Sequence, residues 1–237
     1  MFLIKLANIP IQINNKYAYV KQQCTEYHTK ETPVLIIEAT HNEILNEQNG
    51  QNYELDYCES LAIYRKICQT LIHRKVFLFH GALIDYQNKG ILFTGKSGSG
   101  KSTQANLWKD LYRNEVRIIN GDKPLIAYSN GCFAGFGTPW MGKENLGVND
   151  SVKIEAIVTI KQDHVNEIRK LNTSESLDVL MSQVLFPNKE NGNEMLIYLI
   201  KRIINIIPIY ELKCQISENA VILAKNKIVK EEETNEN

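Results

Sequence analysis

The pattern of apolar and polar positions predicts short strands in the first 40 residues and a helix directly after them. Short apolar runs with polar connections between them are typical of strands. From Tyr57 to Leu71 apolar residues recur at helical spacing, and Asp56 with Glu59 resembles a capping box at the start of that helix. Residues 1–56 are therefore expected to form a strand-rich subregion that packs on the core.

The middle of the chain has the order strand, loop, helix. Apolar runs at 76–79 and 90–94 predict two strands with a connection at 84–89, and the second run leads directly into a glycine-rich segment. A helix is predicted over 102–112 and a short buried strand over 116–119. This order is the context in which phosphate-binding loops occur.

Asn130-Gly131 is the strongest hairpin signal in the chain, because both residues tolerate positive φ angles. It separates two strand-like runs, 125–128 and 132–136. An antiparallel hairpin so close to the strand-loop-helix unit argues against a purely parallel sheet. The predicted fold class is α/β, a mixed β-sheet with flanking helices.

The same periodicities predict the remaining elements and the limits of the core. The remaining elements are a strand at 154–161, helices at 174–185 and 193–207, a strand at 209–212 and a last short helix from Ser217 to about Lys225. The core is expected to span 57–225, and the charged segment 226–237 is expected to be a flexible tail.

Composition limits the partners and the compartment. The 237 residues contain 27 Lys plus Arg and 27 Asp plus Glu. This balance predicts no nucleic-acid partner and no membrane partner. The apolar run 195–210 contains Lys201 and Arg202 and cannot span a bilayer, and residues 1–10 lack the features of a signal peptide. We expect a cytoplasmic protein whose five scattered cysteines are reduced, buried thiols.

The segment GKSGSGKS, residues 95–102, matches the P-loop pattern at every required position. Glycines let backbone N–H groups surround phosphate oxygens, and a lysine follows to reach the β- and γ-phosphates. The predicted ligands are a nucleoside triphosphate and Mg²⁺, with Ser102 completing the metal shell. The predicted nucleotide-binding residues are Gly95, Ser97, Gly98, Ser99, Gly100, Lys101, Ser102 and Thr103.

Three further positions could carry chemistry. Asp122 follows the predicted strand 116–119, where a carboxylate could hold Mg²⁺, although a turn-forming Asp is the alternative. His80 ends a strand and could exchange a proton near the γ-phosphate, or be structural. In the segment 137–144, Trp140 looks exposed and Lys143 could reach the transferring phosphoryl group. The alternative is that Trp140 is buried in the core and that Lys143 is a solvated charge.

Together these motifs resemble the kinase core of HPr kinase/phosphorylase, whose fold is related to that of ATP-dependent phosphoenolpyruvate carboxykinase. The closer resemblance is to small HPr-kinase-like proteins found with peptide-modifying genes. It is carried by His80-Gly81, the segments 95–103 and 119–124, Leu107-Trp108, the segment 137–143 and Gln183. The resemblance covers roughly residues 57–214 and implies a mixed-sheet P-loop kinase fold.

The resemblance implies MgATP-dependent phosphoryl transfer to a hydroxyl, often a serine, of a peptide, protein or small molecule. It assigns catalytic positions to Asp122, His80, Lys143 and Lys101, metal ligation to Ser102 and Asp122, and leaves a homo-oligomer open. This chain has Gly121 where the group usually carries a first aspartate of a pair. The alternative function is therefore a nucleotide-binding regulatory or scaffold module with weak or no catalysis.

Overall fold

The computed structural model describes residues 1–188 and 190–233 and has a mixed α/β architecture. The strands are β1 (Phe2–Leu6), β2 (Ile9–Asn14), β3 (Leu35–Glu38), β4 (Val76–Leu78), β5 (Ala82–Tyr86), β6 (Lys89–Thr94), β7 (Val116–Asn120), β8 (Leu125–Ser129), β9 (Cys132–Phe136), β10 (Ser151–Gln162), β11 (Glu167–Lys170) and β12 (Ile209–Cys214). The helices are α1 (Tyr19–Gln23), α2 (His41–Gln48), α3 (Leu55–Leu71), α4 (Lys101–Tyr112), α5 (Thr173–Met181), α6 (Glu190–Ile206) and α7 (Glu218–Glu233).

The N-terminal strands form a small sheet in the order β1-β2-β3, with β1 and β2 antiparallel and β3 parallel to β2. Helix α3 packs into the same hydrophobic cluster, and Glu59 on it is fully buried. The Glu59 carboxylate accepts the backbone N–H groups of Lys16 at 2.6 Å and Tyr17 at 2.9 Å. The predicted capping box at Asp56 and Glu59 is therefore wrong, because the Glu59 carboxylate binds the segment before α1 and does not cap α3. The N-cap of α3 is Glu54, whose side chain forms no capping hydrogen bond.

The larger sheet has the order β4-β8-β9-β10-β6-β5-β7, with β12 and then β11 added beside β10. Strand β10 is parallel to β6 and β12 and antiparallel to β9, so the mixed sheet is confirmed. One face packs against α4 and α7 and the other against α5 and α6. The flanking helices are thereby confirmed as well.

Strand directions bring three chain segments to one edge of this sheet. Strand β5 is antiparallel to both of its neighbours, β6 and β7. The beginning of β5 therefore lies beside the ends of β6 and β7. His80 precedes β5, Gly95 follows β6 and Asp122 follows β7, so the sheet topology collects all three at this edge.

Several predicted elements need correction. The segment 84–89 is not a connection: β5 forms a hairpin with β6 through Gln87 and Asn88, both at positive φ. Helix α2 was missed, although Thr40 and Glu43 form a complete capping box at its start. Helix α7 does not end near Lys225 but continues to Glu233, so the described part of the predicted tail is helical; 234–237 lie outside the described residues.

All five cysteines are free thiols, and the expected burial is wrong at one of them. Cys24, Cys58, Cys68 and Cys214 are buried, and burial raises the pKa of Cys24 to about 12. Cys132 is exposed at the first position of β9, directly after the Asn130-Gly131 turn. Within the described residues, no helix has the length and apolar character needed to cross a membrane. The division at residues 56 and 57 stays a prediction.

Candidate functional site

The glycine-rich loop, Gly95–Ser102, connects β6 to α4 as the sequence predicts. Gly95, Gly98 and Gly100 have φ angles of 137°, 77° and 102°, a region that side chains other than glycine's rarely enter. A Cβ atom on Gly95 would lie 2.8 Å from Ser99 Oγ and 2.9 Å from the Ile160 carbonyl oxygen. Gly95 is therefore required for the chain to pass the end of β10.

Lys101 folds back over this loop. Its Nζ donates to the carbonyl oxygens of Gly95 at 3.1 Å and Lys96 at 3.2 Å, and the residue is only 8% exposed. Burial lowers the pKa of Lys101, and the negative charge of Asp122 partly opposes this change. The loop thus holds a largely buried ammonium group within the electrostatic reach of Asp122.

The first turn of α4 presents backbone N–H groups and hydroxyls. Gly100 is the N-cap of α4 and provides no side-chain cap, so the free N–H groups of the first turn and the positive end of the helix dipole favour an anion. Ser97 and Ser102 line the adjoining cavity, whereas Thr103 does not. The buried Ser99 Oγ has no hydrogen-bond partner in the part of the chain that the structure describes and is a further polar group in the loop.

Asp122 and His80 are brought together at the sheet edge. His80 Nε2 lies 3.2 Å from Asp122 Oδ1, and Lys123 Nζ lies 3.6 Å from Asp122 Oδ2. Burial by itself would raise the pKa of Asp122, but the hydrogen bond from His80 and the positive charge of Lys123 outweigh it and hold the pKa below its usual value. Asp122 is therefore a stabilised carboxylate.

The turn that carries Asp122 is held by Asn120, a residue that the sequence reasoning did not single out as functional. Asn120 is fully buried, and its Oδ1 accepts the backbone N–H groups of Asp122 at 2.9 Å and Lys123 at 2.7 Å. Its Nδ2 donates to the Thr138 carbonyl oxygen at 3.1 Å and to Thr138 Oγ1 at 3.0 Å. An Asn two residues before an Asp, after a buried strand, is the signal that could have found this Asx turn.

Trp140 is buried, which corrects the expectation of an exposed ring. It is 3% exposed and stacks on Tyr64 with ring centroids 4.0 Å apart and planes 7° apart. The Trp140 Nε1 donates a hydrogen bond to Ser60 Oγ at 2.9 Å. The Ser60 hydroxyl in turn donates to Gln23 Oε1. Gln23 Nε2 donates to the Pro139 carbonyl oxygen at 3.1 Å, which closes the network on the segment that carries Trp140. These bonds fasten the segment 137–145 to α1 and α3.

The fastened segment brings Gly142 against Asp122. Gly142 has a φ of 77°, and a Cβ atom there would lie 2.9 Å from Asp122 Cβ and 3.3 Å from Asp122 Oδ2. Lys143 is exposed beside it and lines the same cavity. Glu144 accepts a hydrogen bond from Asn106 on α4 at 3.3 Å, so the segment also contacts the helix that follows the glycine-rich loop.

All four residues expected to be catalytic line one cavity of about 880 Å³. They are His80, Lys101, Asp122 and Lys143. A second wall, which sequence reasoning treated as structural, comes from α1 and α3 through Tyr19, Gln22, Gln23, Tyr57 and Leu61. Neither the short α1 nor the 17-residue α3 carries a sequence signal for such a role, since only the tertiary fold places them near the glycine-rich loop.

Gly121 has little free space around it. A Cβ atom there would lie 3.2 Å from the Leu146 carbonyl oxygen and 3.5 Å from that of Met141. The Gly121 N–H donates to the same Leu146 oxygen at 2.8 Å. The space into which a side chain at position 121 would project is thus lined by closely packed backbone.

Comparison with solved structures shows distant structural likenesses. No family model matches the chain, and no curated protein matches it. A solved structure described as the HPr(Ser) kinase/phosphatase from Coxiella burnetii is similar with a TM-score of 0.38 and 13% identity, over 65% of this chain and 98% of that one. Both values are too low for an activity to be assigned from this likeness.

Proposed function

We propose that this protein binds MgATP at the glycine-rich loop and transfers the γ-phosphate to a hydroxyl group of a peptide, protein or small molecule. The observation that supports this function best is the cavity lined jointly by Lys101 and the His80–Asp122 pair. A phosphate-binding ammonium and a carboxylate with a histidine partner are the groups that phosphoryl transfer needs in one place.

The triphosphate would lie along the loop. Free N–H groups at the start of α4 would bind phosphate oxygens, and the Lys101 ammonium would exchange its carbonyl partners, Gly95 and Lys96, for the β- and γ-phosphates. Lys143 is exposed at the cavity and forms no ion pair within the described residues. It would add positive charge near the transferring group.

The donor set fits Mg²⁺. One carboxylate, one hydroxyl, phosphate oxygens and water are the usual ligands of this ion, and Ser102 and Asp122 would supply the first two. Within residues 1–188 and 190–233 no cluster of three His, Cys, Asp or Glu side chains forms a metal cage, which agrees with an ion bound mainly through the nucleotide. When bound, Mg²⁺ would neutralise charge on the β- and γ-phosphate oxygens.

His80 would accept the proton from the acceptor hydroxyl. The lowered pKa of Asp122 suits a metal ligand better than a base. If His80 Nε2 carries the hydrogen that faces Asp122, its Nδ1 is the free acceptor, and Asp122 stabilises the imidazolium that forms. The hydroxyl oxygen then bonds to the γ-phosphorus as the bond to ADP breaks, and the proton stays on His80.

The test uses ATP labelled in its γ-phosphate, Mg²⁺ and a panel of serine-containing peptides and small hydroxyl compounds. We expect Mg²⁺-dependent transfer of label by the wild type and loss of transfer in Lys101→Ala, because the triphosphate loses its cation. Transfer no greater than that of Lys101→Ala with every acceptor would count against a kinase.

The second candidate is a nucleotide-binding regulatory module. It is favoured by Gly121, since the chain lacks a second carboxylate beside Asp122. This candidate predicts tight binding of MgATP, measured by calorimetry, together with no release or transfer of phosphate. Turnover above the Lys101→Ala level would exclude it.

A further inference from the structure

The wall that α1 and α3 add to the cavity has one chemical character. Its lining residues, Tyr19, Gln22, Gln23, Tyr57 and Leu61, are all uncharged, whereas the glycine-rich loop, Asp122 and the segment 137–145 contribute the charged groups. Tyr57 and Leu61 are four residues apart and therefore share one face of α3. The cavity thus has a charged part and an uncharged, partly aromatic part.

The same face of α3 ties this wall to the chemical centre. Tyr64, seven residues after Tyr57, lies on this face and donates its hydroxyl to the Lys123 carbonyl oxygen at 2.7 Å. Tyr57 lies farther along the helix, and its pKa is raised by burial, by the neighbouring Tyr19 and Tyr53, and by the negative charge of Asp122. The wall therefore lies beside the turn that carries Asp122.

Two tyrosines of the wall, Tyr19 and Tyr57, form an aromatic cluster with Tyr53, which is not among the residues that line the cavity. Tyr19 and Tyr57 meet edge to face with centroids 5.9 Å apart, and Tyr53 meets Tyr57 at 5.5 Å. The three residues are 37%, 36% and 42% exposed, so their rings are pre-arranged yet accessible. Tyrosines with two rotatable angles provide large contact area at low entropic cost, as in many recognition surfaces.

The direction of the proposed reaction decides what this wall would contact. In the proposed complex Lys101 binds the β- and γ-phosphates, and Asp122 binds the metal ion near the γ-phosphate. In-line transfer requires the acceptor oxygen to approach the γ-phosphorus on the side away from the β-phosphate. The uncharged wall adjoins the turn that carries Asp122, at the γ end, so we assign it to the acceptor.

We propose that α1 and α3 form the acceptor subsite, and that it selects an uncharged hydroxyl compound whose hydroxyl lies next to an aromatic or large apolar group. This inference rests on the proposed function, because the orientation of the γ-phosphate identifies the acceptor side. The aromatic group packs on Tyr19 and Tyr57, and Leu61 contacts the portion nearer the hydroxyl.

The test measures binding of four blocked dipeptides, N-acetyl-seryl-X-amide with X as phenylalanine, glycine, glutamate or lysine. Each is titrated calorimetrically into the full chain with Mg²⁺ and the non-hydrolysable analogue AMP-PNP, and again without nucleotide. We expect the phenylalanine probe to bind about tenfold more tightly than the glycine probe, and the charged probes no more tightly than glycine. Equal affinities, or tighter binding of a charged probe, would overturn the proposal.

Variants test which residues cause the preference for the phenylalanine probe. The double variant Tyr19→Ala/Tyr57→Ala should lose the preference for phenylalanine, the double variant Tyr19→Phe/Tyr57→Phe should keep it, and both should bind AMP-PNP as the wild type does. Tyr198→Ala, at an equally exposed tyrosine on α6, is the matched control and should keep the preference. A preference that survives the double alanine variant, or a loss of AMP-PNP affinity in that variant, would refute the acceptor subsite.

The two proposals fail differently. Absence of AMP-PNP binding by the wild type would refute the proposed function, while the titrations without nucleotide would still show whether the aromatic preference exists. Normal AMP-PNP binding without any preference among the probes would refute the subsite alone.

Discussion

His80 Nε2 lies 3.2 Å from Asp122 Oδ1, although each residue belongs to a different strand connection. The contact arises because β5 begins where β7 ends, and the backbone reinforces it: Gly81 N–H donates to the Asp122 carbonyl oxygen at 2.9 Å. His80 N–H also donates to the Gln183 carbonyl oxygen at 2.8 Å. The pair is thus fixed by main-chain geometry as well as by its own hydrogen bond.

Replacing His80 tests whether this pair handles the proton. We expect His80→Gln to lower the rate of phosphoryl transfer by ~10²-fold or more, because a positioned base contributes ~10²–10⁴-fold, while affinity for MgATP stays unchanged. Steady-state transfer and calorimetry measure the two quantities. His73→Gln, at an exposed histidine outside the cavity, is the control. An unchanged rate in His80→Gln would assign the proton to another group.

Gly121→Asp tests whether a missing carboxylate limits catalysis. The new side chain brings a Cβ atom to 3.2 Å from the Leu146 carbonyl oxygen, so the segment around Leu146 must shift by a few tenths of an ångström. Gly121→Ala makes the same contact without the carboxylate and is the matched control. We expect transfer by Gly121→Asp to exceed that of Gly121→Ala by about tenfold or more, since a second base becomes available. Equal rates would show that position 121 does not limit turnover.

Gly142→Ala tests the contact between the segment 137–145 and Asp122. Gly142 and Gly131 have φ angles of 77° and 80°, so an alanine at either position costs about 1–2 kcal/mol in backbone strain. A Cβ atom on Gly131 meets nothing within 4 Å, whereas one on Gly142 lies 2.9 Å from Asp122 Cβ. We expect Gly142→Ala and Gly131→Ala to lose similar amounts of stability. Only Gly142→Ala should show a fall of about tenfold in Mg²⁺-dependent nucleotide affinity. Equal affinities in the two variants would contradict this role.

Trp140→Phe tests the hydrogen bonds that fasten the same segment. Trp108 is also buried, but its Nε1 has no hydrogen-bond partner among the described residues, so Trp108→Phe removes a similar volume without breaking a hydrogen bond to them. Because Trp140→Phe leaves Ser60 without its donor, we expect it to lower the free energy of unfolding by about 1 kcal/mol more than Trp108→Phe does. Urea denaturation measures both; a smaller loss in Trp140→Phe would argue against the network.

The lowered pKa of Asp122 predicts a pH dependence of stability. A carboxylate whose pKa is lower in the folded state stabilises that state at pH values above its unfolded pKa, and the contribution is lost as pH falls through the folded pKa. The difference in unfolding free energy between wild type and Asp122→Asn should therefore favour the wild type more at pH 7 than below about pH 4. A difference that does not change with pH would contradict the stabilised carboxylate.

The positions of candidate site residues were predictable where they depend on local spacing. Gly95, Lys101 and Asp122 were singled out because a glycine-rich loop between a strand and a helix has a local pattern, and because Asp122 directly follows an apolar strand; their roles stay predictions. The β8-β9 hairpin was correct for the same reason, since Asn130-Gly131 defines its turn locally. Strand β5 was missed because its five residues are all buried and show no alternation.

The remaining features depend on contacts between distant segments. Glu59 has the spacing of a helix cap but binds the N–H groups of Lys16 and Tyr17, and no local pattern distinguishes these two uses of a carboxylate. Trp140 is buried because Tyr64 and Ser60, far away in the chain, lie against it. The sequence by itself determined the glycine-rich loop and the mixed class of the sheet, because both follow from short-range spacing. Only the tertiary structure decided that α1 and α3 complete the cavity, because burial and long-range hydrogen bonds set their place.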